Sequence, residues 1–444
     1  MLKAGFISLG CAKNLVDTEV MLGLMADRQI AITDDPREAD ILIVNTCSFI
    51  DAAKEESIAT ILQTAEYKRE GRCRGLIVAG CLGQRYRQEL LDELPEVDAV
   101  IGTGSWHRIL EVIDAVLAGR RLVLTDEPEA IYGDTTPRLL TTPVYSSYVK
   151  VADGCSNHCS YCVIPLVRGK FRSRPVESVV AEVRRLVAQG AKEINLIAQD
   201  TTSYGRDLYG SPRLADLLRQ LVTIDGLVWI RLLYCYPRYL TDEVIGLIAS
   251  EPKICKYIDL PLQHADDAIL RAMHRTDSRA DIERLLAKIR AAIPGVAIRT
   301  TFIVGFPGET AEQFASLREF TVSQRFDHVG VFVYSREDDT VAGRLPEQVD
   351  DEVKQERYHE LMAQQAKISE ERNTALEGAE LTVLVERVEE DERGLVACGR
   401  SYREAPDVDG RVYVENAAAV RPGDMLRVKV LQGFAYDVVA EPAK

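Results

Sequence analysis

The stretch VADGCSNHCSYCVIP, residues Val151–Pro165, places three cysteines within eight residues: Cys155, Cys159 and Cys162. They come directly after a predicted strand, Tyr148–Ala152, so the three thiols fall in a loop at the C-terminal end of that strand. A zinc site would need a fourth protein ligand nearby, and His158, between two of the cysteines, need not face the same way. Three thiolates suit a 4Fe–4S cluster whose fourth iron stays open to a small chelating molecule. A zinc loop is the alternative interpretation.

The segment 143–376 around this loop predicts a partial barrel. Helical patterns such as RPVESVVAEVRRLVAQG and DIERLLAKIRAAI separate its strands, and a charged helix over 350–376 leads out of it. Six βα units favour a partial (β/α)6 barrel over the closed eight-unit form, with reactive residues at the C-terminal strand ends. The six predicted strands are Tyr148–Ala152, Glu193–Gln199, Val228–Tyr234, Tyr257–Leu262, Ala297–Val304 and His328–Tyr334.

Two further domains are expected on either side, so the fold class is α/β with a small all-β domain. Residues 1–120 alternate strands and amphipathic helices, which is typical of a parallel sheet covered by helices. Residues 121–142 are expected to be a linker. Residues 377–442 show short strands between Gly and Pro turns and predict a small β-barrel. The expected N-terminal strands are Lys3–Leu9, Asp40–Thr46, Gly75–Gly80 and Asp98–Gly102.

Three more cysteines each follow a strand of the N-terminal domain: Cys11, Cys47 and Cys81. The C-terminal ends of parallel strands line one crevice, so these thiols should converge there. Chance placement is the alternative, because free cysteine is often buried as a small hydrophobe. Cys73 begins the same strand that Cys81 ends, up to ~26 Å away at ~3.3 Å per residue. We expect structural roles for Cys73 and for three other cysteines: Cys235, Cys255 and Cys398.

Composition limits the class of protein and its surroundings. The 444 residues carry a formal net charge of −15 and ten cysteines. We see no secretory signal and no apolar run long enough for a membrane span, so the expected location is the cytoplasm. In that reducing compartment, cysteines indicate metal binding or catalysis more than disulfides. The acidic charge disfavours a general nucleic-acid surface and favours a basic protein partner.

The two cysteine triads resemble those of the methylthiotransferases in the radical S-adenosylmethionine (SAM) superfamily. The resemblance covers essentially the whole chain, because the C-terminal segment is similar to a TRAM domain. It implies two 4Fe–4S clusters, one on Cys11, Cys47 and Cys81 that holds an exogenous sulfur species, and one on Cys155, Cys159 and Cys162. The cluster on Cys155, Cys159 and Cys162 would cleave SAM to a 5′-deoxyadenosyl radical. The resemblance also implies a second SAM as methyl donor, a sulfur donor and a low-potential electron donor.

The same resemblance suggests where SAM is held. FIVGFPGET, Phe302–Thr310, follows the fifth barrel strand, and in the superfamily such a segment lies near the cofactor. It implies SAM contacts from Gly305, Pro307 and Gly308, with a plain strand-to-helix turn as the alternative. Other polar residues end neighbouring strands and are placed to face cofactor or substrate: Gln199, Asp200, Gln263 and His264.

Two stretches are similar to the branch of the family that modifies a ribosomal protein: SLGCAKNLVDTE at Ser8–Glu19 and GRSYREAPDVDG at Gly399–Gly410. Proline is frequent in that branch at the positions of Ala12 and Arg336. The resemblance implies methylthiolation at the β-carbon of an aspartate in small-subunit ribosomal protein S12, free or in the assembled subunit, with no direct tRNA substrate. That C–H bond is not acidic enough for an ordinary side-chain base, so a radical is needed. The alternatives are a tRNA adenosine methylthiotransferase and a zinc-stabilised RNA-binding protein without catalysis.

Overall fold

The N-terminal domain is built on a sheet of six parallel strands. The computed structural model describes residues 1–391, 394–417 and 420–443. The strand order is β2-β1-β3-β4-β5-β6. The central strands β3 and β4 are fully buried and mostly apolar, as expected where helices cover both faces. The strands are β1 (Lys3–Ser8), β2 (Ala31–Thr33), β3 (Ile41–Thr46), β4 (Gly75–Gly80), β5 (Ala99–Ile101) and β6 (Leu122–Leu124). The helices are α1 (Ala12–Asp27), α2 (Asp51–Glu70), α3 (Cys81–Glu93) and α4 (Ile109–Leu117).

All four strands expected in this domain are present, and two edge strands were not expected. The sequence analysis missed β2 and β6 because a strand of three residues is too short to show a period. The strand β6 lies inside the expected linker and pairs with β5, with Leu122 opposite Ala99. The sheet therefore continues past residue 120.

The central domain is a partial barrel of six parallel strands, as predicted. Its strands form two groups, ordered β11-β10-β7 and β12-β13-β14, and a bridge between Ile230 and Ile254 connects the groups. The strands are β7 (Ser146–Lys150), β10 (Glu193–Ile197), β11 (Trp229–Leu232), β12 (Tyr257–Asp259), β13 (Ala297–Val304) and β14 (His328–Val333). A short hairpin follows β7: β8 (Ala152–Asp153) and β9 (Arg172–Ser173).

Helices surround the partial barrel, and several begin at clear capping residues. Ser278 and Thr310 each start a helix with a reciprocal side-chain cap, at α11 and α12. Among the described residues, no helix is long and apolar enough to cross a membrane. The helices are α5 (Ile164–Arg168), α6 (Val176–Ala188), α7 (Arg206–Tyr209), α8 (Leu214–Leu221), α9 (Asp242–Ser250), α10 (Asp267–Ala272), α11 (Arg279–Ala292), α12 (Ala311–Gln324) and α13 (Asp351–Thr374).

The C-terminal segment is a closed five-stranded barrel in the order β15-β16-β17-β19-β18. Each strand pairs with two neighbours, which closes the barrel. The sequence analysis predicted this barrel but did not single out β16. The strands are β15 (Glu380–Asp391), β16 (Gly394–Arg400), β17 (Val412–Val414), β18 (Met425–Gly433) and β19 (Val438–Pro442).

The loop 399–410 of this small barrel docks against the N-terminal ends of the central strands. Arg400 forms a buried ion pair with Glu193, the first residue of β10, at 2.6 Å. The hydroxyl of Tyr257, the first residue of β12, donates to Asp409 at 2.6 Å. One of the stretches that resembles the ribosomal-protein branch is therefore largely a structural contact between domains. It lies at the end of the barrel opposite the loop that carries Cys155, Cys159 and Cys162.

Candidate active site between two cysteine triads

The first triad, Cys155, Cys159 and Cys162, lies in the loop between β8 and α5. Backbone bonds fix its course: the Cys155 amide donates to Gly169 at 3.0 Å, and the Cys162 amide donates to Cys159 at 3.1 Å. The Ser160 hydroxyl also donates to the backbone oxygen of Ala272, at 2.7 Å. All three thiols are free and partly exposed. The loop sits at the C-terminal rim of the barrel, where the sequence placed it.

Burial and neighbouring charges raise the pKa of two thiols in this loop, those of Cys155 and Cys162. Burial raises the pKa of Cys155 to about 11, and Asp200 and Cys159 add to the rise. Burial raises the pKa of Cys162 still further, with contributions from Cys159 and Cys155. Since thiolates are the ligands of iron, assembling a cluster here must release protons.

The second triad, Cys11, Cys47 and Cys81, forms at the C-terminal edge of the N-terminal sheet. Cys11 precedes α1, Cys47 follows β3, and Cys81 opens α3 directly after β4. Gly10 packs so closely on Cys47 that an added Cβ would lie 2.9 Å from the cysteine Cβ, and its φ of +85° favours glycine. The structure thus brings the three strand-end cysteines to one crevice.

The three thiols of this crevice differ in acidity. Burial raises the pKa of Cys81 to about 12 and also raises that of Cys47. Desolvation acts on Cys11 in the same direction, but the charges of Lys13 and Arg168 outweigh it and bring the pKa of Cys11 below its ordinary value. Cys11 is also the exposed member of the triad.

The other four cysteines lie apart from both triads. Cys73 is buried at the opposite end of β4, where its thiol donates to the backbone oxygen of Gly75 at 3.3 Å. Three more are buried in the cores or in the small barrel: Cys235, Cys255 and Cys398. Their positions agree with the structural role expected for them.

The three free thiols of each triad are possible metal ligands. Within residues 1–391, 394–417 and 420–443, no three His, Cys, Asp or Glu side chains are grouped to hold a single metal ion. In a four-iron cluster each thiolate binds a different iron, so the ligand sulfurs surround a body larger than one ion. Each triad offers three free thiols, one fewer than a structural zinc site requires.

A buried group of charges, which we call the interface network, joins the two domains between the triads. Its members are Asp17 in α1, Lys150 in β7, Asp153 in β8 and Arg168 in α5. Lys150 contacts Asp17 at 2.5 Å and Asp153 at 2.7 Å, and Arg168 contacts Asp17 at 2.5 Å. Burial alone would raise the pKa of Asp153, but Lys150 and Arg168 hold it well below its usual range. The Asp153 carboxylate therefore stays charged, and the contacts of Lys150 and Arg168 with Asp17 hold the two domains in register.

Asn14 connects this network to the cysteine crevice. Its amide nitrogen donates to the backbone oxygens of Leu9 at 2.9 Å and Thr46 at 2.8 Å, which lie just before Cys11 and Cys47. Its side-chain oxygen accepts from Arg168 at 2.6 Å and lies 4.0 Å from the Cys81 sulfur. Asn14 thus positions all three strand ends. The sequence analysis missed Asn14 and Arg168, because neither carries a spacing signal and their contact crosses domains.

Two polar residues predicted from strand ends lie beside the first triad. Asp200 accepts a hydrogen bond from Asn157 of the cysteine loop, at 2.9 Å. Gln199 donates to Asp153 at 3.1 Å, and its own side-chain oxygen is buried without a partner among the described residues. An unpaired buried acceptor is costly, so a donor group of a bound molecule would stabilise it.

The GFPGET segment is a turn in which both glycine amides are hydrogen-bonded. The amide of Gly305 donates to the carboxylate of Glu309, and that of Gly308 donates to the backbone oxygen of Glu347 at 2.7 Å. His264 is fully buried 3.4 Å from Glu309, and does not open onto the rim. Both glycines have positive φ, +73° and +81°, which accounts for their identity. The segment forms a strand-to-helix turn, and SAM contacts from Gly305, Pro307 and Gly308 stay a prediction.

Each of the three domains matches the model of a known family. Residues 3–102 match the model of the uncharacterized protein family UPF0004. Residues 149–321 match the radical SAM superfamily, and residues 378–442 match the TRAM domain. The fold is therefore that of a radical SAM enzyme with one additional domain on each side.

Relatives over the full length are methylthiotransferases. The chain is 53% identical over 440 residues to the ribosomal protein uS12 methylthiotransferase RimO of Geobacter sulfurreducens, covering 99% of this chain and 98% of that one. It is 51% identical over 441 residues to the protein of the same name from Desulforamulus reducens, covering 99% of each. The chain belongs to the RimO family of methylthiotransferases.

Solved structures of other radical SAM enzymes share the fold at low identity. The radical SAM methyltransferase TsrM from Kitasatospora setae matches with a TM-score of 0.57 at 16% identity, covering 77% of each chain. The cobalamin-dependent SAM radical enzyme OxsB matches with a TM-score of 0.50 at 11% identity, covering 83% of this chain and 56% of that one. These two likenesses show the architecture alone.

Proposed function

We propose that this protein attaches a methylthio group to the β-carbon of an aspartate in ribosomal protein uS12, in the cytoplasm. The full-length relatives are named ribosomal protein uS12 methylthiotransferases, and the aspartate follows from the resemblance to that branch of the family. The observation that carries the proposal for this chain is the juxtaposition of two triads of free cysteines. Arg168, at the end of the helix after the first triad, contacts Asn14, which lies 4.0 Å from Cys81 of the second.

The first triad is the proposed site of SAM cleavage. Cys155, Cys159 and Cys162 would hold a 4Fe–4S cluster, which supplies, when bound, the one-electron chemistry that acts on SAM. The rim around it offers polar groups for the cofactor: the unpaired oxygen of Gln199, and Asp200, which steadies the loop through Asn157. Contacts from Gly305, Pro307 and Gly308 would require backbone carbonyls or their surfaces, because both glycine amides are already bonded.

The second triad is the proposed site for the transferred sulfur. Cys11, Cys47 and Cys81 would hold a second 4Fe–4S cluster with an open iron for an exogenous sulfur species. Asn14 holds the three strand ends, and the interface network fixes this crevice against the barrel rim. One SAM would serve as methyl donor and a second as radical source. An external sulfur donor and a low-potential electron donor complete the reaction.

The substrate is proposed to be a basic protein and not tRNA. From residue 380 to 441 the sequence holds thirteen Asp and Glu against eight Lys and Arg, a net charge of −5. Four of these charged side chains, two of each sign, are buried: Arg400, Arg403, Glu404 and Asp409. The net charge of −5 therefore comes from the remaining residues. A nucleic-acid module normally has the opposite sign, whereas a basic ribosomal protein is attracted.

Reconstituted enzyme with a chemical reductant, a sulfide source and SAM tests this proposal. Purified uS12 and purified tRNA are offered separately, and the products are examined by mass spectrometry. Methylthiolation of one aspartate in uS12, with tRNA unchanged, is the expected result. Modification of tRNA alone would favour the tRNA adenosine methylthiotransferase instead, and a colourless zinc-containing protein would remove the radical chemistry altogether.

A further inference from the structure

Lys13 is a buried cation at the junction of the two domains. It lies in the first turn of α1, two residues after Cys11, and is only 6% exposed. Its ammonium nitrogen lies 3.1 Å from the centroid of the Tyr234 ring. Tyr234 follows β11 at the C-terminal rim of the barrel. The charge therefore sits between the crevice of the second triad and the rim that carries the first.

Other buried cations of this interface have carboxylate partners, and Lys13 has none among the described residues. Lys150 pairs with Asp17 and Asp153, and Arg85 pairs with Glu337 at 2.7 Å. Lys13 contacts the face of an aromatic ring and also interacts with the Cys11 sulfur, but neither is a carboxylate, and the ring compensates a buried ammonium only in part. A charge removed from water is costly without a counter-charge, so this position favours an incoming anion.

The ring that contacts Lys13 is held in an unusual backbone conformation. Tyr234 has a φ of +61°, which is rare for a residue with a side chain. Two hydrogen bonds hold it there: its amide donates to Asp259 at 2.8 Å, and its backbone oxygen accepts from Thr201 at 3.0 Å. Such conformations persist where the surroundings enforce them, and they cluster at ligand sites. The ring, and with it the ammonium, is therefore kept in place.

We propose that Lys13 binds the side-chain carboxylate of the target aspartate, an inference that rests on the proposed function above. In that residue the carboxylate carbon is bonded directly to the carbon that is modified. An ammonium that holds the carboxylate at this junction therefore holds the C–H bond between the two triads. A lysine point charge would also select aspartate over its neutral isostere asparagine.

The experiment compares Lys13→Gln with the unmodified holoenzyme on two versions of full-length uS12, one with the target aspartate and one with asparagine there. For the aspartate protein, the variant should raise KM at least about 30-fold, the loss expected when one partner of a buried charge pair is removed. Its preference for aspartate over asparagine should fall to about one. Lys13→Arg should restore part of the preference, and Lys170→Gln, which alters an exposed lysine, should leave it unchanged.

The iron content of the variant shows whether Lys13 binds the substrate carboxylate or instead stabilises the cluster proposed on Cys11, Cys47 and Cys81. Lys13→Gln should retain the iron of the unmodified enzyme. A variant that keeps its preference for aspartate, or that loses iron together with activity, overturns the assignment of Lys13. Failure of the unmodified enzyme to act on uS12 at all would overturn the proposed function itself, and the inference with it.

Discussion

The Arg168 guanidinium donates a 2.6 Å hydrogen bond to the side-chain oxygen of Asn14, and so joins the helix after one cysteine triad to the helix that begins beside the other. Both residues are buried. The bond spans the boundary between the N-terminal domain and the barrel, and places two sets of three free thiols on facing edges. The proposed reaction, which first removes a hydrogen atom from a carbon and then adds sulfur to it, requires both sets to act at the same substrate carbon.

Replacing any one of Cys155, Cys159 and Cys162 by Ala should abolish SAM cleavage, because a four-iron cluster held by only two protein thiolates is unstable. The measurement is 5′-deoxyadenosine formed by anaerobically reconstituted protein under a reductant. Cys235→Ala, a change of a buried cysteine in the barrel core, is the control and should retain the product. Undiminished 5′-deoxyadenosine from a triad variant would refute the assignment.

Replacing Cys11, Cys47 and Cys81 together by Ala should lower iron from roughly eight to roughly four atoms per chain, as one of two four-iron clusters is lost. SAM cleavage should persist while methylthio transfer is lost. Iron analysis and product mass spectrometry measure the two effects. Cys73→Ala, at the far end of β4, should retain all of its iron. Loss of iron from the Cys73 variant but not from a Cys81 variant would show that the ligand set is wrong.

Glu193→Gln should loosen the docking of the C-terminal barrel. Burial alone would raise the pKa of Glu193, but Arg400 and Arg231 lower it to about 2. Because the unfolded value is about 4.3, this carboxylate stabilises the fold fully above that pH, and the contribution is lost as the pH falls toward 2. Breaking the buried pair should cost about 3 to 5 kcal/mol at neutral pH.

Thermal unfolding at pH 7 and at pH 3, with hydrogen exchange of the amides in 399–410, measures this effect. The unmodified protein should lose stability on acidification more steeply than Glu193→Gln does. Glu389→Gln, a change of an exposed carboxylate on the same small barrel, is the matched control. If Glu193→Gln and the unmodified protein lose the same amount of stability between pH 7 and pH 3, the role of the pair is contradicted.

Neutralising the acidic run at 389–392 should weaken association with uS12, most strongly at low salt where screening is least. Glu389 and Glu390 lie at the exposed end of β15, while the side chain of Asp391 and all of Glu392 lie outside the described residues. Binding titrations at low and at physiological ionic strength measure the change. Neutral substitutions at exposed Glu66 and Glu70 of α2 provide the control. Tighter binding of the unmodified enzyme to tRNA than to uS12 would contradict this role.

Much of the site could be predicted because it depends on local order along the chain. Cys11, Cys47 and Cys81 each follow a strand, and parallel strands bring their C-terminal ends to one edge. The C-x3-C-x2-C loop needs only its own eight residues. The strands β2 and β6 could not be predicted in this way, since three residues show no period.

The contacts between domains could not be predicted, because they leave no local pattern in the sequence. Asn14 and Arg168 are 154 positions apart, and Arg400 and Glu193 are 207 positions apart. Nothing in the spacing of either pair indicates that they meet. The sequence analysis interpreted the stretch at 399–410 through its resemblance to one branch of the family. The structure shows that this stretch packs against the N-terminal ends of the central barrel strands.

The most direct test of the central claim is mass spectrometry of ribosomal proteins and of tRNA from a strain that lacks this gene, beside the same strain with the gene restored. The account predicts that a methylthio group disappears from one aspartate of uS12 and returns on restoration, with the methylthio nucleosides of tRNA unchanged. A methylthiolated uS12 that persists in the deletion strain, or a loss confined to tRNA, would contradict it.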